Sequence, residues 1–202
     1  MAHECQKSIQ RRLHDPTFHQ LYFVGDGIDI GGGYDGLENY AKLFPRIRSV
    51  KNWDLQDGDA QLMAGVQDQA FDFVHSSHCL EHMRDPYEAL KNWWRILKPG
   101  GHLIVLVPDE DLYEQGVWPS TFNGDHKRTF TIWKYEGGLG PTPSWSPVST
   151  SVFDLIQSLG ASAKPLSVRL LESTFIRGLP RCDQTQAAGE CAIEFVLRKL
   201  GG

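Results

Sequence analysis

Hydrophobic and polar positions along the chain alternate between two rhythms. Ile9, Leu13 and Phe18 lie among charged residues and predict an amphipathic N-terminal helix over residues 1–20, broken near Asp15-Pro16. Ile28 and Ile30 mark a short buried strand that runs into Gly31-Gly32-Gly33. Leu37 to Phe44 has helical spacing and ends at Pro45, and Arg46 to Leu55 reads as a second strand. Phe71 to His75 is a short apolar run that predicts a central strand. Asp85-Pro86-Tyr87-Glu88 is a helix start, with an N-cap aspartate, proline at N1 and glutamate at N3. Leu90, Trp93, Trp94 and Leu97 then share one face, and Lys98-Pro99-Gly100-Gly101 closes that helix.

His102 to Val107 is continuously apolar, as expected of a parallel strand covered on both faces. Residues 109–150 are rich in aromatics, glycine and proline and show little periodicity. A loop of that length inside a compact domain is usually functional. Ser151 to Leu159 reads as a helix closed by Gly160. Leu166 to Glu172 and Cys191 to Lys199 read as two last strands, joined by a loop around Gly178 to Gly189. This alternation predicts an α/β fold: a Rossmann-like, doubly wound, mostly parallel sheet with an antiparallel C-terminal strand. Ligands of such sheets bind beyond the carboxyl ends of the strands. Only 16 residues separate Asp54 from Phe71, so a crossover helix and a further strand barely fit. The segment 54–70 is therefore expected to be abbreviated.

Length and composition fit one domain over residues 1–202, with 1–24 as a helical cap and 109–150 as an acceptor-side insertion. The hydrophobic fraction is 41%, no run is long enough to span a bilayer, and the N-terminus lacks a signal-peptide core. Cys5, Cys79, Cys182 and Cys191 show no close pairing, which argues against a disulfide framework and makes a cytoplasmic location the default. A net charge of −5 argues against a nucleic-acid partner. Monomer and homodimer stay equally open.

The apolar-Asp-apolar-Gly-x-Gly order of residues 28–33 resembles the first loop of class I S-adenosylmethionine (SAM)-dependent methyltransferases. Three further segments agree with it in order. Asp54 ends the next strand, where a carboxylate can accept hydrogen bonds from both ribose hydroxyls of a nucleoside. Gly58-Asp59-Ala60 resembles the segment that places an aspartate near the adenine amino group. Phe71 to His82, followed by Leu97-Lys98-Pro99-Gly100-Gly101, resembles the fourth strand of that family and the lead into its fifth. The likeness covers roughly residues 25–108 and is nearest to the small-molecule and glycan-modifying branch. One departure is Asp35 at the third glycine position.

The resemblance implies SAM as cofactor, S-adenosylhomocysteine (SAH) as product, and methyl transfer by in-line displacement to a small polar acceptor, such as a hydroxyl of a sugar or related metabolite. Cofactor contacts are expected from Asp29, Gly31, Gly32, Gly33, Asp54, Asp59, Ala60, Ser76, Ser77 and His78. Asp29 has a plainer reading as a cap of the following turn, and Asp54 as an ordinary strand-end carboxylate. Acceptor contacts are expected from Asp109, Glu110, Tyr113, Glu114, Trp118 and His126, in a segment that mixes carboxylates with aromatic faces. Asn123-Gly124 predicts a turn that projects Asp125 and His126. A hydroxyl acceptor needs a base, for which His126 and His78 are the candidates. His75, His78, Cys79 and His82 have metal-ligand spacing, but they coincide with the expected donor contacts, and no metal is expected. Two other readings are a SAM-binding module without catalysis and an NAD-dependent oxidoreductase. The second lacks the spaced third glycine of a dinucleotide fingerprint.

Overall fold

The computed structural model describes residues 4–132, 144–172 and 189–201. A six-stranded sheet has the order β2-β1-β3-β4-β8-β7, built from β1 (Gly25–Ile30), β2 (Ile47–Trp53), β3 (Phe71–Ser77), β4 (Leu97–Pro108), β7 (Ala163–Glu172) and β8 (Cys191–Lys199). The pairs β1–β2, β1–β3 and β3–β4 are parallel. Strand β8 runs antiparallel to both of its neighbours. The expected mostly parallel sheet with an antiparallel C-terminal strand is the fold observed.

Chain direction reverses its winding at β1 and β3, and the carboxyl ends of these two neighbours open side by side. Residues 54–70, which join β2 to β3, contain no helix or strand, as the short spacing predicts. Strand β2 consequently forms one edge of the sheet.

Each sheet face has its own core. One face packs Ile28, Ile30, Val74, Leu103 and Val105 against α2 (Pro86–Ile96) and α3 (Val152–Ser158). Trp93 and Trp94 of α2 are buried there, and Trp93 Nε1 donates to the Ala60 carbonyl at 2.8 Å. The other face packs Phe73, Ile104 and Val196 beneath α1 (Glu4–Arg12), a π-helical turn (Phe18–Tyr22) and a 3-10 helix (Leu37–Leu43). Burying one Phe or Leu side chain in such cores contributes about 1.5–3 kcal/mol.

Helix starts follow the sequence closely. Asp85 accepts from the backbone N–H groups of Tyr87 and Glu88, with Pro86 in the first turn. Glu88 does not reach back to complete a capping box. Its carboxylate is taken by the Gln61 side-chain amide, while Gln61 Oε1 accepts from the Asp85 N–H at 3.0 Å. Ser151 caps α3, and Gly160 follows its end at φ +75°. Within 109–150, Thr129–Thr131 (β5) and Ser149–Ser151 (β6) form a short parallel pair that periodicity did not reveal. Most of the expected loop at 178–189 lies outside the described residues. Cys5 and Cys79 are free and buried, whereas Cys191 is disulfide-bonded, a pairing that the spacing of the cysteines did not suggest. Among the described residues no helix is long and apolar enough to cross a membrane.

Candidate active site

Beyond Ile30 the chain must turn away from the sheet without filling the space above it. Gly31 makes this turn at φ +77°, a conformation that favours glycine, and a Cβ there would collide with the Cys79 side chain. A Cβ on Gly32 would press on Asn52 Oδ1 and on Asp29 Oδ2 at 2.6 Å. Asp29 itself is buried. Its Oδ2 accepts from the Leu37 N–H at 2.6 Å, and its Oδ1 meets His75 Nδ1 at 2.6 Å. The carboxylate therefore holds the two ends of the glycine turn together and ties β1 to β3. Asp35, at the departed glycine position, accepts from the Gln6 N–H and the Tyr40 hydroxyl, which anchors the turn to α1.

Two cavities flank Gly31. One, of about 330 Å³, lies between the glycine turn, the start of α1 and the loop after β4; Glu4, Ser77, His78, Tyr113 and His126 help to line it. The other, of about 550 Å³, lies over the carboxyl end of β2, with Asp54, Asp59, Ala60, Cys79 and Arg84 in its wall. Gly31, His78 and His82 belong to both walls. His78 sits at φ +54°, an unusual conformation for a side chain of this size, and turns its ring into this junction.

The smaller cavity holds a buried charge cluster. Glu81 is fully buried, and neither of its carboxylate oxygens has a hydrogen-bond partner among the described residues. His78 Nδ1 stands 3.5 Å and His126 Nε2 3.8 Å from Oε1, both longer than good hydrogen bonds. Burial pushes the Glu81 carboxyl up, but His78, His82 and His126 outweigh it and hold the group below the usual carboxylate range. Burial likewise disfavours a charged His78, and Glu81 and Glu4 reverse the sign, raising its pKa. His126 Nδ1 is fixed on Glu114 at 2.7 Å, and His82 Nδ1 on Asp125 Oδ2 at 3.0 Å. The His82 and His126 rings lie 5.1 Å apart.

Of the residues expected here, Asp29, Gly31, Gly32, Gly33, Asp54, Asp59, Ala60, Ser77, His78, Tyr113 and His126 line one cavity or the other. Glu114 stands behind His126. Ser76 is turned into the sheet, its hydroxyl donating to the Ile30 carbonyl. Asp109 caps the next turn, accepting from the N–H groups of Asp111 and Leu112. Glu110 is buried and gathers the hydroxyls of Thr129, Ser144 and Ser149. Trp118 is half-buried and lines neither cavity. Glu81 carried no assignment from the sequence, because the histidine that faces it from the loop lies 45 residues away in the chain.

Comparison with known proteins follows the same outline. A family profile described as "Methyltransferase domain" matches residues 34–105. The matched segment is that of a methyltransferase domain, and the fold is the one seen in class I SAM-dependent methyltransferases. A SAM-dependent methyltransferase from Archaeoglobus fulgidus has the same fold, with a TM-score of 0.58 over 98% of this chain and 95% of that one at 17% identity. A trans-aconitate 2-methyltransferase from Deinococcus radiodurans is 26% identical over 62% of this chain and 48% of its own length. The highly reducing polyketide synthase ctvA of Aspergillus terreus is 30% identical over 60% of this chain but only 5% of the synthase. The chain thus spans from a twentieth to about half the length of these two curated relatives. SAM is the family's cofactor. The residues present fit it: a side-chain-free turn at Gly31–Gly33, flanking cavities on both sides, and a strand-end carboxylate at Asp54.

Proposed function

We propose that this chain transfers a methyl group from SAM to a small, uncharged polar acceptor, with a hydroxyl oxygen, as of a sugar or related metabolite, as the methylated atom. The observation that carries this is the smaller cavity, which abuts the glycine turn and is lined by imidazoles and carboxylates. Bound SAM supplies an electrophilic methyl on sulfur. Asp54, and Asp59 beside Ala60, are assigned to the nucleoside, and Gly31 to Gly33 to the rest of the donor. His78 sits where the two cavities meet, with Ser77 beside it in the wall of the smaller one, which suits a contact near the transferring group.

Lining charge argues for the acceptor class. Glu4, Asp29, Asp35 and Glu81 line the smaller cavity, and among the described residues no lysine or arginine does. A carboxylate acceptor such as the one named for the Deinococcus relative would meet like charge here. A hydroxylated acceptor can instead hydrogen-bond to His78, Tyr113, Asn123 and His126. Tyr113 offers an aromatic face 5.3 Å from the His126 ring, and alignment of the acceptor against the donor supplies much of the acceleration. The proton of a hydroxyl acceptor falls to the imidazoles that face the cavity, His126 and His78, with Glu114 orienting the first. Asp109, Glu110 and Trp118 are left to shape the loop that bears Tyr113.

SAH release, followed for a panel of sugars, polyols and small carboxylic acids, tests this assignment. Turnover with a hydroxylated acceptor and none with the acids is expected. Turnover confined to the acids would overturn the acceptor class.

A further inference from the structure

We propose that Glu81, His82 and His126 form a binding site for a first-row divalent transition ion of the zinc class. One ligand atom from each residue lies within 4.8 Å of the other two. Tetrahedral bonds of about 2.0–2.1 Å put ligand atoms about 3.3 Å apart, so side-chain movements of about 1 Å close the site. Two nitrogens and one carboxylate oxygen suit zinc, iron(II) or cobalt(II); magnesium and calcium call for oxygen ligands throughout.

Three features separate this cluster from an ordinary group of polar residues. Glu81 is 0% exposed, yet among the described residues neither oxygen has a hydrogen-bond partner; the imidazoles of His78 and His126 stand off at 3.5 and 3.8 Å. Leaving a carboxylate in that state is costly unless a cation neutralises it. Each histidine is also held from behind by a carboxylate on Nδ1, Glu114 for His126 and Asp125 for His82. That arrangement fixes the tautomer and leaves Nε2 for a metal. Finally, all three ligands face the same cavity, so a fourth coordination position opens where an acceptor oxygen would sit. The cluster of Cys5, Asp29 and His75 is a useful contrast. There His75 uses both nitrogens, on Asp29 and Arg12, and has none left for a metal.

The cation's presence does not depend on methyl transfer; what the open position faces rests on the acceptor reading above. With a metal seated, His126 would be a ligand, a coordinated acceptor hydroxyl would be more acidic, and its proton would pass to His78, the other imidazole that faces the cavity.

The experiment is calorimetric titration of chelator-treated, tag-free protein with Zn²⁺, accompanied by SAH titration of the same samples. One equivalent is expected to bind the wild type. Glu81→Gln, at a residue that lines the smaller cavity alone, should abolish it while SAH affinity stays the same; His82→Ala should abolish it as well, and Glu114→Gln should weaken it by about 10–100-fold. Co²⁺ in place of Zn²⁺ should give the visible absorption of a low-symmetry nitrogen–oxygen site. His82 is partly exposed, so its substitution decides the matter if Glu81→Gln does not fold. Absence of stoichiometric Zn²⁺ binding by folded wild type, or its survival in both variants, overturns the site. Failure of SAH to bind while Zn²⁺ still does counts against the donor reading alone.

Discussion

Asp29 Oδ1 and His75 Nδ1 meet at 2.6 Å between the neighbouring strands β1 and β3, with both side chains buried. On the far side of the ring, Arg12 Nη1 approaches Nε2 at 2.8 Å, so Nε2 accepts and the Nδ1 hydrogen is donated to Asp29. Arg12, fully buried, is in turn held by Glu194 of β8 at 2.9 Å. A line of polar contacts therefore crosses from the glycine turn through β3 and α1 to the last strand. Replacing Asp29 by Ala leaves the Leu37 N–H and the His75 Nδ1–H without an acceptor. The expected cost is about 1–3 kcal/mol for each buried donor left unsatisfied. Urea unfolding measures it, and a loss under about 0.5 kcal/mol would show that the line is not structural.

Arg12→Met tests the other end of that line. Glu194 feels burial, which raises its pKa, but Arg12 and Arg11 hold it down at about 2. Without Arg12 the buried carboxylate keeps, among the described residues, its outer partners Arg11 and Arg169. A loss of about 3 kcal/mol or more in urea unfolding is expected. An unchanged midpoint would mean that Arg11 and Arg169 suffice.

Gly31→Ala places a Cβ against Cys79 at a φ that L residues rarely adopt. Strain of about 1–3 kcal/mol follows if the turn keeps its shape, or the turn moves off the donor. SAH affinity measured by calorimetry should fall by at least about tenfold. Gly124→Ala, where a Cβ meets nothing within 4 Å, is the control and should bind SAH as the wild type does.

His126→Ala is expected to lower kcat for methyl transfer by about 10²–10⁴-fold while the SAM Kd stays within about threefold. The fall is expected whether the imidazole serves as base or as metal ligand. An equal loss in kcat and in SAM affinity would instead place His126 in the donor site.

Two buried groups give stability opposite slopes with pH. His102 is pushed down to about 4 from its ordinary 6.5, first by burial and then by Arg198. Its contribution is present above pH 6.5 and is lost as pH falls through 4. Asp109 is pushed up to about 6 from its ordinary 3.8, first by burial, with Asp111 and Glu110 adding to it against the N–H groups of Leu112 and Asp111. Its contribution is present below pH 3.8 and is lost as pH rises through 6. Between pH 4 and 6 the two largely offset each other. In Asp109→Asn, urea unfolding should show stability falling more steeply on acidification through that window. In His102→Phe it should rise instead. Parallel curves for both variants would refute these assignments.

The fold was legible wherever local chemistry decides. Asp85-Pro86 starts a helix in any context, and the unbroken apolar run at 103–107 reads as a strand covered on both faces. The 16-residue gap before Phe71 left barely enough room for a crossover helix and another strand, and neither forms. Less was legible where distant parts of the chain meet. Glu88 completes a capping-box pattern, yet Gln61 takes its carboxylate. Asp109 and Glu110 follow β4 at the end where ligands bind, but the loop folds so that its own N–H and hydroxyl groups claim them. Arg12 lies among the charged residues of the N-terminal helix, and nothing local marks it as buried, which it is. Glu81 looks like one letter of a family motif; only the return of the loop at His126 makes it the centre of a cluster.

The central claim is that the glycine turn and Asp54 hold SAM. Calorimetric titration of the wild type and of Asp54→Ala with SAM and with SAH tests it most directly. Asp54 is partly exposed and lies just beyond β2, so its substitution should leave the fold intact. Micromolar binding of both ligands by the wild type, weakened at least about tenfold in the variant, is the predicted result. Folded wild-type protein that binds neither ligand, with or without Zn²⁺, would contradict it.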